Sequence, residues 1–397
     1  CTTMPQPGEQ SRQRTREQRR ITLSQAEQTQ APKTTQGHVL VLGSQGVLGS
    51  MVVSAFERAG WMTIRAGRRL PFEPGFREVD LARPETLEKA LGELATYTAA
   101  TGNRGLVVST VPDPRMIAER TVLRHGGLIL NVSTVAPTHI KHLRLAPLPV
   151  PAQAAGGGET DGEESEGIAG QNRVRGTVVA YAGIAPGLTN LVAANLLAEY
   201  PDADEIELAF TVSARSVAGP AGADFLHAGL TSAARHRTVV IPLPAPFGRT
   251  RCLGFGERDF GWLGPVAEGK IVASYVCLTP RAVRYALMAA NAAGIVSRVP
   301  RVAPATSTPT AEPIAHWVAV RKDGMRLAAR TIRGHGDYRS AAAVTVLFAQ
   351  ALIESTSPPG VLLPEEAVSL DQIRPGLADM GIFINDEHVS LGSPARD

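Results

Sequence analysis

Three glycines at equal spacing could bring this chain close to phosphate groups. Gly43, Gly46 and Gly49 stand between two apolar segments in the stretch VLVLGSQGVLGSMVV. Glycine permits a sharp exit from a strand, a close backbone approach to a pyrophosphate, and close packing of a helix on a strand. The phosphates would bind free N–H groups at the helix N-terminus. The spacing predicts a dinucleotide-binding turn, with a purely structural turn as the alternative, and its residues are Gly43, Ser44, Gln45, Gly46, Val47, Leu48 and Gly49.

The residues after the second predicted strand, IRAGRRL, indicate which nucleotide this is. An NAD site usually has an acidic residue there, which binds the ribose hydroxyls. No carboxylate occurs in this stretch, whereas Arg65, Arg68 and Arg69 do. Because a guanidinium matches a phosphate, NADP is favoured over NAD, with Arg68 as the first phosphate ligand and Arg69 as the second. NAD, with these arginines on a surface loop, is the alternative.

Further contacts are expected where later strands end, since the carboxyl ends of parallel strands face the ligand crevice. Asp80 could accept a hydrogen bond from the adenine amino group, or it could cap the following helix. Asp113 could contact the substrate, and helix capping is again the alternative. The turn after the fourth strand would line the nicotinamide half of the cofactor through Ser109, Thr110, Val111 and Pro112.

A second strand–turn–helix stretch is YAGIAPGLTNLVAANLLAEY. Pro186 and Gly187 form its turn, and Thr189 or Asn190 opens an amphipathic helix. If the helix start faces the crevice, its N–H groups could bind a substrate carboxylate or the nicotinamide amide. The alternative is a plain capped helix.

The order of elements predicts an α/β fold: a Rossmann-type parallel sheet domain and a second, mixed α+β domain. Strands and helices alternate up to residue 183, which indicates βαβ crossovers. Later strands, with helices at 280–292 and 338–353, belong to a different sheet, and Asp323 and Gly324 supply a hairpin turn. The predicted strands are 38–43, 61–67, 76–81, 105–111, 127–134, 177–183, 205–212, 238–244 and 270–278.

The predicted domain organisation has four parts. Residues 1–36 form a disordered polar tail, and 37–182 form the dinucleotide-binding domain with a mobile acidic loop at 154–173. Residues 183–345 form a substrate and dimerisation domain, and 346–397 return to the first domain.

Composition narrows the class of partner. A net charge of +3 and 5% aromatic residues in 397 give no reason to expect nucleic acid, and no apolar run reaches the ~18 residues of a membrane span. The three cysteines show neither metal nor disulfide spacing, so we expect a reducing compartment, the cytoplasm, and no metal. The expected partners are a small-molecule substrate and, as an open possibility, a second copy of the chain.

The motifs VLGSQGVLGS, AGRR, EVDL, VVSTVPD, LILNVST and AGIAPGLTN together resemble those of the saccharopine dehydrogenase-like NAD(P)-dependent oxidoreductases. GDYRSAAA and GVLLPEEA are similar to C-terminal features of that family. The resemblance implies chemistry at a C–N bond, in which a secondary amine and an imine are interconverted with NAD(P)(H). It also implies that the three glycines and Arg68 meet the cofactor, and that the family turn near the nicotinamide is formed by Pro186, Gly187, Thr189 and Asn190.

Candidate substrate and proton-transfer residues lie mainly in the second half of the chain. Arginine suits a carboxylate, and ARHRT and FGRTR offer Arg235 and Arg249 as the substrate ligands. For proton transfer, His227 is the first candidate, together with Tyr181. Structural roles are the alternative for each, and weaker candidates of both kinds are Arg215, Arg237, Arg251, His236, His335 and Tyr338.

These patterns predict an NADP-dependent oxidoreductase that acts on an imine or secondary amine of an amino-acid-like compound. One alternative is an NADPH-dependent reductase of a C=C or C=O bond. The other is a protein that senses NADP(H) without turnover.

Overall fold

The first half of the chain builds a parallel sheet covered by helices. The computed structural model describes residues 36–69, 75–133, 135–145, 176–213, 220–233, 237–256, 263–298, 312–355 and 358–387, so residues 1–35 and the predicted acidic loop lie outside it. The apolar runs form its strands, which are β1 (His38–Leu42), β2 (Met62–Gly67), β3 (Phe76–Glu78), β4 (Gly105–Ser109), β5 (Leu128–Asn131) and β6 (Thr177–Val179).

Helices connect these strands, as the alternation predicts. They are α1 (Val47–Arg58), α2 (Pro84–Thr101), α3 (Ile117–Arg124), α4 (Pro137–Leu145) and α5 (Leu188–Glu199). Helix α3 begins only at Ile117, because Met116 is left-handed (φ 54°) and the chain first makes a turn closed by Asp113. Helix α5 begins one residue before Thr189, the first of the two predicted start positions.

A second sheet follows, in which parallel and antiparallel pairs are mixed. Its first six strands are β7 (Glu205–Ser213), β8 (Thr238–Leu243), β9 (Gly248–Gly254), β10 (Ile271–Thr279), β11 (Pro313–Lys322) and β12 (Met325–His335). Strand β10 is parallel to β7, and the other pairs are antiparallel. The predicted hairpin turn is confirmed, since Asp323 and Gly324 both have positive φ (50° and 74°).

The C-terminal part of the chain contributes to both sheets. Helices α6 (Pro220–Ser232) and α7 (Arg281–Ala292) lie beside the second sheet. Helix α8 (Asp337–Glu354) packs against both α1 and β12. Beyond α8, β13 pairs with β6 in the first sheet and β14 pairs with β12 in the second. These last elements are β13 (Gly360–Leu362), α9 (Pro364–Ala367), α10 (Leu370–Leu377) and β14 (Phe383–Glu387).

The order of the first sheet locates the crevice. It runs β13-β6-β5-β4-β1-β2-β3, with every pair parallel, and the second runs β14-β12-β11-β7-β10-β9-β8. The predicted fold class, a Rossmann-type parallel sheet with a second mixed domain, is thereby confirmed. The order in which the chain adds strands reverses at β1, because β2 and β3 extend the sheet on one side and β4, β5 and β6 on the other. The crevice therefore opens outside the carboxyl ends of β1 and β4. No helix in the described ranges has the length and apolar character needed to cross a bilayer.

Candidate functional site

The glycine turn between β1 and α1 lies at the crevice, and its three glycines differ in what the fold demands of them. Gly43 has φ +78°, and a Cβ there would come within 2.7 Å of Val111 Cγ2. A Cβ on Gly49 would come within 2.0 Å of the Gly43 carbonyl oxygen. Gly46 is exposed with an ordinary φ of −74°, and its nearest obstacle would be 3.3 Å away. Only the first and third glycines are therefore required by backbone shape and packing.

The start of α1 offers hydrogen-bond donors to the crevice. Gly46 is the N-cap and has no side chain that could cap the helix. The amide N–H groups of Val47 and Leu48 meet no acceptor within the described part of the chain. Ser44 serves the turn itself, because its N–H and hydroxyl both donate to the Ala66 carbonyl at 3.1 Å.

Basic side chains follow β2, at the place where we expect the extra phosphate of NADP to bind. Arg68 and Arg69 are exposed, and neither forms a hydrogen bond or salt bridge with a described residue. Arg65 instead points back along α1 and binds Glu57 at 3.0 Å. Gln45 Oε1 lies over Gly67, 3.1 Å from where a Cβ of that glycine would stand, so the glycine turn and the end of β2 share one surface.

Asp80 supports the turn before α2. Its carboxylate accepts hydrogen bonds from the Ala82 N–H (3.0 Å) and from Arg83 Nε (3.4 Å). The Ala82 N–H and the two arginines Arg83 and Arg68 lower the pKa of Asp80, the Ala82 bond most of all. This geometry matches the structural alternative for Asp80, while contact with adenine stays a prediction.

The turn after β4 packs directly on the glycine turn. Thr110 Oγ1 donates to the Leu42 carbonyl at 2.8 Å, and Val111 covers Gly43. Ser109 is buried, whereas Pro112 is exposed at the crevice. Asp113, which we expected to contact a substrate, is 8% exposed and accepts the N–H groups of Arg115 and Ile117 at 3.1 and 2.9 Å. Its carboxylate thus closes the turn before α3.

A buried polar chain lies beneath the end of β5. The Asn131 amide donates to Glu119 at 2.6 Å, and its oxygen accepts both the N–H (2.8 Å) and the hydroxyl (2.7 Å) of Ser133. Glu119 is 1% exposed, and its Oε2 has no hydrogen-bond partner. Burial raises the pKa of Glu119 to about 7. No sequence pattern predicts this buried group, because a glutamate on a short helix is usually solvated.

The turn between β6 and α5 uses its own backbone N–H groups, and a contact of Pro186, Gly187, Thr189 or Asn190 with the substrate stays a prediction. The N–H groups of Leu188 and Thr189 donate to the carbonyls of Gly183 and Ile184, each at 3.0 Å, and the Asn190 N–H donates to Gly187 at 2.9 Å. The start of α5 therefore has no free donors to offer a ligand, and Pro186, Gly187, Thr189 and Asn190 form a closed structural turn.

Side chains reinforce this second turn. Asn190, 1% exposed, accepts the Gly187 N–H at 3.0 Å and donates to Glu365 Oε2 at 3.0 Å. Glu365, at the start of α9, also accepts the Gly264 N–H at 2.7 Å, and burial raises its pKa. The C-terminal segment thereby fixes α5.

Tyr181 has contacts that match the structural alternative, while a role in proton transfer stays a prediction. It is 3% exposed, and its hydroxyl donates to the Val135 carbonyl at 2.9 Å. Burial raises its pKa well above the ordinary value, so the phenol holds its proton at neutral pH.

The candidates in the second domain are dispersed. His227 lies on α6, whose residues Gly229 and Leu230 pack on the second sheet. Arg249 is exposed on β9, which lies next to the edge strand β8. Arg237 donates to three backbone carbonyls at 2.9 to 3.1 Å, which is a structural role. Arg235, Arg215 and His236 lie outside the described residues.

One carboxyl group that the sequence analysis did not single out lies at the start of the helix that packs on the turn after β6. Asp337 begins α8, and one turn later Ala341 faces Gly183 while Thr345 Oγ1 donates to the Ala182 carbonyl at 2.9 Å. Asp337 is half-buried, and burial together with Glu312 raises its pKa to about 7. The quoted motif GDYRSAAA contained this residue, but nothing local distinguished its aspartate from a helix cap. Across the described ranges, no three His, Cys, Asp or Glu side chains converge as a metal site.

The sheet order and the open N-terminus of α1 define a Rossmann-type parallel sheet with a crevice outside the carboxyl ends of β1 and β4, accompanied by a second, mixed sheet. No protein-family model matches the chain, and no curated protein does.

Solved structures match at low similarity. The WlbA (WbpB) dehydrogenase of Thermus thermophilus, solved with NAD and UDP-GlcNAcA, is 13% identical with a TM-score of 0.37, over 85% of this chain and 91% of that one. An amine dehydrogenase of Mycobacterium smegmatis is 11% identical with a TM-score of 0.40, over 86% and 98%. A meso-DAPDH mutant of Clostridium tetani is 9% identical with a TM-score of 0.41, over 85% and 96%. Likeness at this level does not show what the chain binds or does.

Proposed function

We propose that this chain is an NADP-dependent oxidoreductase that transfers hydride to or from an imine or secondary amine of an amino-acid-like compound. The observation that carries the proposal is the open N-terminus of α1 beside Gly46. Buried or half-buried donors normally find partners, and here Val47 and Leu48 leave two N–H groups directed at a crevice.

Gly46 adds a second reason to expect a ligand at this point. Its φ of −74° suits any residue, and a Cβ would meet nothing closer than 3.3 Å. The fold therefore demands glycine much less strongly here than at Gly49, with its 2.0 Å obstacle, and leaves most of the reason for the missing side chain unexplained. A diphosphate resting against the backbone does explain it.

The preference for NADP is supported by charge at the end of β2. Glu78 and Asp80 are both bound by Arg83, so neither is free to accept ribose hydroxyls without breaking an ion pair. Arg68 and Arg69 are exposed beside them. We propose that Arg68 binds the extra phosphate of NADP, because a guanidinium forms strong charged hydrogen bonds with phosphate oxygens.

Reduced NADP, when bound, supplies the hydride. This chain must supply the remaining functions: it must hold the substrate, exclude water and deliver one proton. Asp337 fits the proton role, since a carboxyl with a pKa of about 7 is half-protonated at neutral pH. Arg339, exposed in the same helical turn, fits the role of a carboxylate ligand.

Calorimetry with the full chain tests the cofactor site. NADPH should bind the wild type, and Gly46→Val should abolish binding because the side chain fills the position of the diphosphate. Gly92→Val is the matched control, since Gly92 is exposed on α2 and a Cβ added there would meet no atom within 4 Å. Equal affinity for wild type and Gly46→Val would rule out this crevice, and no binding of NADPH or NADH to the wild type would end the proposal.

Turnover is tested separately. Imines formed from keto acids and amines should accelerate the loss of NADPH fluorescence in the presence of the wild type. Binding of NADPH without loss of fluorescence across a broad panel of imines, ketones and enones would favour the sensing protein over an enzyme.

A further inference from the structure

Two buried cysteines stand on neighbouring strands of the second sheet. Strands β9 and β10 are antiparallel, and Leu253 lies directly opposite Val276. Extended by one residue past these paired positions, the same register brings Cys252 opposite Cys277, and the two thiols lie within hydrogen-bond reach of each other. Both are free thiols in the structure, and both are fully buried in the apolar cluster on the outer face of this sheet.

The type of pair brings the two side chains close together. The Phe255 N–H donates to the Ser274 carbonyl at 2.9 Å, so Phe255 and Ser274, which lie opposite each other, form a hydrogen-bonded pair. Opposed pairs alternate along an antiparallel ladder, which makes Cys252 and Cys277 a non-hydrogen-bonded pair. In such pairs the Cα atoms are about 4.5 Å apart, within the roughly 4.4–6.8 Å that a disulfide spans.

The two thiols already interact, and they are not equivalent. A hydrogen bond between them, more than any other effect, raises the pKa of Cys252 and lowers that of Cys277. Arg284 on α7, itself 5% exposed, places its Nη1 3.6 Å from Cys277 Sγ. A buried guanidinium favours a thiolate, so Cys277 has the character of the attacking sulfur.

We propose that Cys252 and Cys277 are an oxidation site, at which a hydroperoxide converts the two thiols into a reversible cross-strand disulfide. With hydrogen peroxide, the Cys277 thiolate attacks one oxygen, the O–O bond breaks, and hydroxide leaves to give a sulfenic acid. The Cys252 sulfur then attacks this sulfenic sulfur, and the S–O bond breaks. The proton of Cys252 and the hydroxyl leave as water, so two thiols and one peroxide yield one disulfide and two waters.

Position in the sheet provides a route for the oxidant. β8 and β9 form the outermost hairpin of the second sheet, beyond β10. Edge elements open locally at lower cost than central strands, and hydrogen peroxide is a small molecule. Once formed, the disulfide would join this hairpin covalently to β10, so its expected consequence is a more stable second sheet.

Peptide mass spectrometry of the full-length chain tests the proposal directly. A Cys1→Ser background removes the remaining thiol. After treatment with hydrogen peroxide, alkylation and trypsin, the peptides 252–258 and 271–281 should appear as one species, two hydrogens lighter than their sum. Dithiothreitol should release both peptides, and the thermal midpoint should be higher before release than after. Two separately alkylated peptides, or sulfinic acids without the joined species, would overturn the proposal.

The part played by Arg284 has its own readout. Arg284→Leu should slow formation of the joined peptides at least several-fold at neutral pH, because the thiolate of Cys277 loses its cation. Arg298→Leu, at an exposed site beyond α7, is the matched control and should leave the rate unchanged. Equal rates in all three proteins would overturn the assignment of Cys277 as the attacking sulfur.

Discussion

The first sheet contains two strand–glycine–helix turns that look alike in sequence and differ in their hydrogen bonds. At the start of α1, Val47 and Leu48 direct their N–H groups into the crevice without an acceptor from the described residues. At the start of α5, the N–H groups of Leu188 and Thr189 are bound by carbonyls of their own turn. A glycine turn before a helix therefore indicates a ligand only where the helix donors are left over.

The glycines of the two turns show the same contrast. Gly187 has φ +135°, and a Cβ there would come within 1.9 Å of the Gly183 carbonyl oxygen. Gly46 has an ordinary φ, and a Cβ there would come no closer than 3.3 Å to the Gly43 carbonyl oxygen, so its constraint is much weaker. Gly187 lets the second turn pack tightly against its own backbone, whereas Gly46 leaves open space beside the start of α1.

Gly187→Ala should give the largest effect, on stability. Both the positive φ and the overlap with Gly183 must be relieved by moving the backbone, which we expect to cost about 4 kcal/mol or to prevent folding. Urea denaturation followed by circular dichroism measures the loss. Gly92→Ala is the control and should stabilise α2 by about 0.5–1 kcal/mol. A Gly187→Ala protein as stable as the wild type would show that the second turn is not closed in this way.

The difference between the two turns also shows how far the fold could be predicted from the sequence. The β1–α1 unit was predictable because its apolar run and its glycines are local signals. The closure of the second turn was not, since it depends on how the chain at Gly183 and Ile184 folds back on α5. Elements of three or four residues, such as β13 and α9, carry no periodicity to detect.

Each of the two regions also contains a glutamate bound to an asparagine, buried in the case of Glu119 and half-buried in the case of Glu365. The two carboxyl groups differ in how many of their oxygens have a hydrogen-bond partner. Glu119 accepts one hydrogen bond, from Asn131, and its other oxygen has no partner. Glu365 accepts from Asn190 and from the Gly264 N–H, one at each oxygen. Ionisation in the folded state should therefore cost more free energy for Glu119 than for Glu365.

Glu119→Gln should therefore stabilise the protein, but only at higher pH. Burial raises the folded-state pKa of Glu119 from 4.5 to about 7, so the wild type loses stability as pH rises through this interval. Glutamine stays neutral and keeps an acceptor for Asn131, which should make the variant about 3 kcal/mol more stable at pH 8 and nearly equal at pH 4.5. Urea denaturation across this range measures the difference. A constant difference at all pH values would contradict the assignment.

Asn190→Ala should weaken the second turn without touching the first. It leaves the Gly187 N–H and one oxygen of Glu365 unpaired in a buried site, at a cost of about 2 kcal/mol. The affinity for NADPH, measured by calorimetry below the unfolding range, should stay within about twofold, since less than ~0.4 kcal/mol would be involved. A large loss of affinity with unchanged stability would restore Asn190 to the ligand site that the sequence first suggested.

Arg68→Ala should produce the smallest and most selective effect. If Arg68 binds the extra phosphate, its removal should weaken NADPH binding at least tenfold, about 1.5 kcal/mol, and leave NADH binding almost unchanged. Arg65→Ala is the matched control from the same stretch, because Arg65 is engaged with Glu57 on α1. Competition calorimetry with both cofactors measures the selectivity. Equal losses for NADPH and NADH would mean that Arg68 acts only through the general charge of the crevice, and the end of β2 would then give no reason to prefer NADP.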